Sequence, residues 1–255
     1  MSRTVRWISY SAFFFLYLPV IVLIISSFNA SRFGGAWEGF SLTWYQRLFH
    51  EPTIWNALTN SLIVAVYSSV LATILGLTSA LSLHKYRSYL QKIHLGIILA
   101  PLVMPEILMG ISLLFLFLAI SVKLSLFTVF LAHTTFCISY ITLLIKTRLE
   151  SLENSIVEAA RDLGASSWQV FWKITLPFLT PTLVAGWLLA FTLSLDDFVI
   201  TFFVVGPGAT TLPVYIYSMM KFGAPPLINA LSTLILLFTA IITVIYYHIA
   251  EGDRS

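Results

Sequence analysis

Six stretches of about 20 residues with few or no charges restrict the fold of this chain more than any other feature. A helix rising about 1.5 Å per residue needs about 20 residues to cross a hydrocarbon core of about 30 Å. The windows are Trp7 to Phe28, Ser61 to Leu83, Leu95 to Leu118, Leu124 to Ile145, Thr182 to Val205 and Leu227 to Ile249. None alternates with period two over its length, as barrel strands would, and backbone in lipid must satisfy its own hydrogen bonds. The expectation is an all-α membrane protein with six transmembrane helices, a single transmembrane domain over residues 1–255.

Composition excludes other classes. Charged residues make up 10% of the chain, against about 25% in ordinary globular proteins. The single cysteine, Cys137, allows no intramolecular disulfide and no thiolate metal cluster. A net charge of +3 gives no footprint for nucleic acid. Arg3 and Arg6 ahead of an apolar run also suit a cleaved signal peptide, but the run is longer than a typical h-region and no clear small-x-small site follows, which favours a retained span.

Positive residues stay on the cytoplasmic side of a membrane protein, so their distribution sets the orientation. With the N-terminus inside, Arg3, Arg6, Lys85, Arg87, Lys92, Lys146, Arg148, Arg161, Lys173 and Arg254 are cytoplasmic, ten of the 14 Lys and Arg. Arg32, Arg47, Lys123 and Lys221 are outside, and both termini fall in the cytoplasm. Two loops are long. The outer one, Asn29 to Asn60, carries Trp37, Trp44 and Trp55, read as interfacial anchors, with a docking surface as the alternative. The other is cytoplasmic, Lys146 to Pro181.

In that cytoplasmic loop Ser155 and Glu158 have the spacing of a capping box, and Ile156, Ala159, Ala160 and Leu163 share one helical face. Gly164 is placed to stop the helix, and Ser166 with Gln169 reads as a second capping box opening a short helix with Trp168, Phe171 and Trp172. Pro177 and Pro181 are expected to restrict its continuation into the fifth span. Two short helices joined at a glycine, with an alanine face that admits a close neighbour, form a docking knob; interfacial helices lying on headgroups are the plainer reading. A DNA-reading helix pair is disfavoured by one lysine and no free end on the second helix.

Glu158-Ala159-Ala160, Gly164 and Ile174-Thr175-Leu176-Pro177 together resemble the EAA signature of permease subunits in bacterial binding-protein-dependent ABC importers, with every signature position matched. Ser27-Phe28-Asn29, Ser31-Arg32-Phe33, Asp162 to Ala165, Phe191 to Phe198 and Ile216 to Met219 are similar to the spermidine/putrescine subfamily. The resemblance implies that residues 155–177 are coupling helices seated on a cytoplasmic ATPase, with Glu158, Ala159, Ala160, Gly164, Ile174, Leu176 and Pro177 at the coupling site. It implies as partners a second, homologous permease subunit, two ATPase subunits that use ATP and Mg, and a periplasmic polyamine-binding protein, in a bacterial inner membrane. This chain has no G-x-x-x-x-G-K-[ST] loop and no catalytic constellation, so it is not expected to be an enzyme or to hold a cofactor.

Ionisable residues inside spans are functional candidates by default, because charge in lipid is costly. Glu106 lies about 16 Å into the third span, near the midplane, after Pro101 and Pro105, which kink the helix and free carbonyls. Asp196 and Asp197 lie about 22 Å into the fifth. On a continuous helix adjacent residues point about 100° apart, so one carboxylate is expected to meet a cationic substrate and the other to bond to a neighbouring helix. Phe202, Phe203, Tyr215 and Tyr217 offer aromatic faces to a cation, and His133, Thr134, Thr135 and Cys137 read as interhelical packing. An ion-coupled carrier or a permease for another small substrate also accommodates membrane carboxylates, though a carrier has no use for the docking loop.

The orientation is checked by impermeant thiol labelling on a Cys137→Ser background. Ser41→Cys should react from outside and Ser88→Cys should not; the reverse pattern would overturn the topology.

Overall fold

The computed structural model describes residues 3–32, 35–86, 88–222 and 225–252. Arg87 and Arg254, counted in the charge distribution, and Phe33 of the subfamily stretch lie outside these residues. The architecture is helical, and the described residues form no strand beyond one isolated antiparallel bridge, Asn29 to Phe40. In order the helices are α1 (Arg3–Ser27), α2 (Thr43–His50), α3 (Pro52–Lys85), α4 (Tyr89–Val103), α5 (Glu106–Ala119), α6 (Leu126–Glu150), α7 (Asn154–Asp162), α8 (Ser167–Val170), α9 (Leu176–Asp196), α10 (Val199–Val204), α11 (Leu212–Phe222) and α12 (Pro225–Gly252). A π turn, Phe171–Thr175, joins α8 to α9.

Among the described residues four helical stretches are long and apolar enough to cross a membrane, and the bent pair α4 and α5, counted as one span, makes a fifth. The sixth expected span falls within α12, whose described apolar stretch is Pro226–Ile241. Three expected spans differ in form. The second starts earlier, because Pro52 opens α3 with no N–H to leave unsatisfied, and the helix runs 34 residues. The third is not one kinked helix but two, bent by 115° at Met104–Pro105. The fifth is continuous from Ser167 through the π turn to Asp196 and then breaks, so the prolines of 177 and 181 do not interrupt it. Pro177 lies just after the π turn that joins α8 to α9.

Backbone proximity divides the chain into two units, residues 1–55 with 215–255, and residues 56–214. In the first, α12 packs against α1 and α2. The loop after α1 is organised by Asn29, whose side chain donates to the Ala36 carbonyl at 2.9 Å and accepts from the Glu38 amide at 2.9 Å. Trp44 is not an interfacial anchor: it is buried, and its indole N–H donates to the Asn29 carbonyl at 3.0 Å. The closed loop gives that N–H a protein partner in place of a headgroup.

In the second unit α6 is the central element, packed by α9, α4, α10 and α5. Its buried Val129, Ala132, Phe136, Cys137, Ile141 and Ile145 meet Leu179 and Ala190 of α9 and Ile200 and Val204 of α10 in one core. Small residues let helices approach closely where lipid offers no hydrophobic drive for association. Gly110 in α5 is such a place, since a Cβ there would stand 2.7 Å from Phe203 Cδ2.

Gly110→Val should therefore destabilise the protein by about 1–3 kcal/mol through overpacking. Phe203→Ala added to it should recover part of the loss. The thermal unfolding midpoint in detergent measures both, and an unchanged midpoint for Gly110→Val would contradict the close α5–α10 packing.

Candidate functional site

Two breaks in the spans build the site. At the first, Pro105 pushes the preceding Met104 out of helical geometry into an extended one (φ −73°, ψ 136°), and α5 restarts with Glu106 as its first residue. A carboxylate there complements the positive end of the helix. At the second, Asp197 is extended (φ −65°, ψ 120°). Its own carboxylate accepts from the Ile200 amide at 3.3 Å and the Thr201 amide at 2.8 Å, the local side-chain bonding by which Asp competes with a continuing helix.

Between the breaks lies a cavity of about 270 Å³ lined by Glu106, Asp196 and Asp197 together with Pro101, Met109, Phe136, Tyr140, Thr192, Leu193, Phe198, Val199 and Ile200. The three membrane carboxylates singled out from the sequence thus share one wall, though they come from different helices. They are not equivalent. Asp196 and Glu106 are exposed, and their side chains make no hydrogen bond or ion pair among the described residues. The Asp197 side chain is 6% exposed and is held by His133 and Thr201.

That hold is a chain of buried polar groups. Ser68 Oγ lies 3.0 Å from Ser194 Oγ, Ser194 Oγ 2.7 Å from His133 Nδ1, and His133 Nε2 3.2 Å from Asp197 Oδ2 and 2.9 Å from Thr201 Oγ1. The Thr201 hydroxyl donates to Asp197 Oδ2 at 2.7 Å. A neutral imidazole with its proton on Nε2 satisfies every member: Ser68 donates to Ser194, Ser194 to Nδ1, and Nε2–H to the carboxylate and the threonine oxygen. The proximity of adjacent residues on a helix does not govern the aspartates, because Asp197 is not helical. His133 was readable as packing, and it does join helices, but through a carboxylate. The same rule that flags aspartates in a span applies to a histidine, and would have found it. Thr134 and Thr135 instead donate to carbonyls one turn back in α6.

The aromatic candidates fall elsewhere. Phe202 is 49% exposed on α10, and the cavity takes Phe198 instead. Tyr215 belongs to the other unit; burial first, then the Glu51 carboxylate, raises its phenol above the ordinary range, so it stays neutral.

The segment of residues 155–177 is built as two short helices. Gly164 has φ +84°, the left-handed conformation of a helix stop, and the Ala165 amide reaches back to the Ala160 carbonyl at 3.0 Å, the long bond of a Schellman closure. Ser166 and Gln169 form the reciprocal capping box. Ser155 does not form the other. Glu153 occupies the N-cap of α7, so Ser155 already lies inside the helix and is not in the capping position; its Oγ donates to the Glu153 carboxylate at 3.3 Å. Ala160, Gly164 and Ile174 line a groove of about 430 Å³ between α7 and the next helix. Glu158, Ala159 and Pro177 are exposed and Leu176 half-buried, while Leu163 is 90% and Trp168 69% exposed.

Residues 72–252 match the family described as binding-protein-dependent transport system inner membrane component. The chain belongs to this family. The permease is 40% identical over 241 residues to the spermidine/putrescine transport system permease protein PotC of Escherichia coli (strain K12), covering 94% of this chain and 91% of that protein. It is 43% identical over 251 residues to the putrescine transport system permease protein PotI of the same organism, covering 95% and 89%. Its fold is similar to a chain of a bacterial ABC transporter involved in the import of the acidic polysaccharide alginate, with TM-score 0.73 and 18% identity over 97% of this chain and 98% of that one. A chain of the inward-facing MetNI methionine ABC transporter matches with TM-score 0.63 and 20% identity over 80% and 96%. The permease is thus a multi-pass inner-membrane component of an ABC importer, in a family whose members are not themselves enzymes.

Proposed function

We propose that this permease forms part of the pore of an ATP-driven importer of polyamines, spermidine or putrescine, with both its termini in the cytoplasm. The observation that carries the substrate class is the convergence of Glu106 and Asp196, two carboxylates without protein partners, on one cavity in the spans. Unpaired carboxylates there are costly unless water or a cation meets them, and a polyamine supplies cations spaced along an apolar stem. The aromatic and apolar wall of Phe136, Tyr140 and Phe198 suits that stem. The relatives named for spermidine and putrescine transport support the same class. At about 270 Å³ the cavity is just below the usual range of about 300–1,000 Å³ for small-molecule sites. That size fits half of a path which a second, homologous permease subunit completes.

ATP and Mg are used on two separate ATPase subunits, and a periplasmic binding protein delivers the polyamine. Closure of the ATPases moves the segment around Gly164, and the rigid continuity from Ser167 to Asp196 carries that motion to the cavity. The bends at Met104 and Asp197 are where the path shifts its exposure from one side to the other. Phe202 and Tyr215 take no direct part in this cavity.

In vesicles containing the complete complex, Asp196→Asn should lower polyamine uptake about 10- to 100-fold, the loss of one hydrogen-bonded charge contact, while complex recovery stays normal. Normal uptake by Asp196→Asn and by the Asp196→Asn/Asp197→Asn double variant would contradict a substrate-contacting carboxylate. Gly164→Leu places a side chain at φ +84°, a strain of about 1–2 kcal/mol. It should leave membrane insertion intact and abolish ATPase capture and transport; wild-type transport at normal membrane levels would exclude the docking role.

A further inference from the structure

Resting on the polyamine reading, we propose that His133 is a positioning residue: it holds the Asp197 carboxylate out of the path, so that the adjacent aspartates present one free carboxylate, Asp196, to the passing cation. Asp197 borders the cavity, yet its Oδ2 already receives His133 Nε2, the Thr201 hydroxyl and the Thr201 amide, and its Oδ1 receives the Ile200 amide. An acceptor so fully engaged has little left for an ammonium group. His133 is 1% exposed and itself fixed from behind by Ser194, which is fixed by Ser68, so Nε2 is held facing Asp197 and Thr201. The chain of contacts runs from α3 through α9 and α6 to α10, and Ser68, Ser194, His133 and Thr201 are all buried.

The advantage is release. A transport site must bind strongly enough to admit its cargo and weakly enough to let it go. Two adjacent free carboxylates in a low-dielectric cavity would hold a cation more tightly than one, because each adds a near-full attraction. Engaging the Asp197 lone pairs in the protein removes it as a direct ligand and leaves only its through-space attraction, a weaker site, while keeping Asp197 available to shape the break.

Carbodiimide labelling of carboxylates tests this in the complete complex in lipid vesicles, read residue by residue by tandem mass spectrometry. Asp196 should react and Asp197 should react at least about tenfold more slowly, a protection of about 1.4 kcal/mol. In His133→Leu, Asp197 should approach the reactivity of Asp196, and the rate of uptake per complex should fall. In His133→Gln, which can still donate to the carboxylate, the protection should return. A loss that was merely structural would not be restored by that conservative change with Asp197 alone altered. If His133→Leu does not assemble, Thr201→Val, which removes one hydroxyl donor, should raise Asp197 labelling several-fold. Equal labelling of both aspartates in the wild type, or unchanged protection in His133→Leu and Thr201→Val, would overturn the proposal. Spermidine added before the reagent separates this from the substrate reading. Failure to shield Asp196, with the Asp197 pattern intact, would count against polyamines and leave the positioning role standing.

Discussion

A helix that breaks inside a membrane leaves amides which no water is there to meet, and the Asp197 carboxylate is what meets them here. Without it, the first turn of α10 would carry unsatisfied donors at the buried Ile200 and Thr201, each costing about 1–3 kcal/mol. The carboxylate is then itself a buried charge, which is tolerable only because His133 and Thr201 complete its hydrogen bonds. Removal of one partner from such a buried group is far more damaging than the net worth of the pair suggests. The break, the short α10 and its packing on Gly110 of α5 all follow from this one saturated acceptor.

The second break has a different cause and a complementary effect. Pro105 ends α4 by steric exclusion, and the chain turns 115° before α5. A continuous third span and a continuous fifth span would have packed side by side with their carboxylates on separate faces. Two interrupted spans instead bring Glu106, Asp196 and Asp197 around one cavity, where irregular backbone is admissible because it lines a space rather than facing lipid. From there α9 and the π turn run without interruption to Ser167, beside the exposed Gly164 turn. One continuous helix thus links the Gly164 turn with the wall of the cavity.

Features that depend on near neighbours were legible in the sequence. The Gly164 stop and the Ser166–Gln169 capping box are short-range geometry and appear in the structure as read. Ser155 and Glu158 have the same spacing and form no box, because α7 starts earlier, with Glu153 at its N-cap and Ser155 inside its first turn. The apolar windows revealed the helical class and the membrane, but not that Asp197 would end a span, since no proline or glycine marks the place. Its partner His133 is 64 residues away, and nothing local ties them. Trp44 was misread for the same reason: the carbonyl that receives its N–H is presented by a loop whose closure depends on Asn29. Phe202 and Tyr215 have the right chemistry for a cation, but only folding decides which faces meet the cavity.

The central claim is that this cavity passes polyamines under the drive of ATP. It is tested most directly by uptake of labelled spermidine, putrescine and unrelated small cations into vesicles that contain the complete complex and its binding protein. The account predicts that the two polyamines accumulate only when ATP is present on the cytoplasmic side, and that the other cations do not. Accumulation without ATP under a proton or sodium gradient, or equal uptake of all the cations, would contradict it.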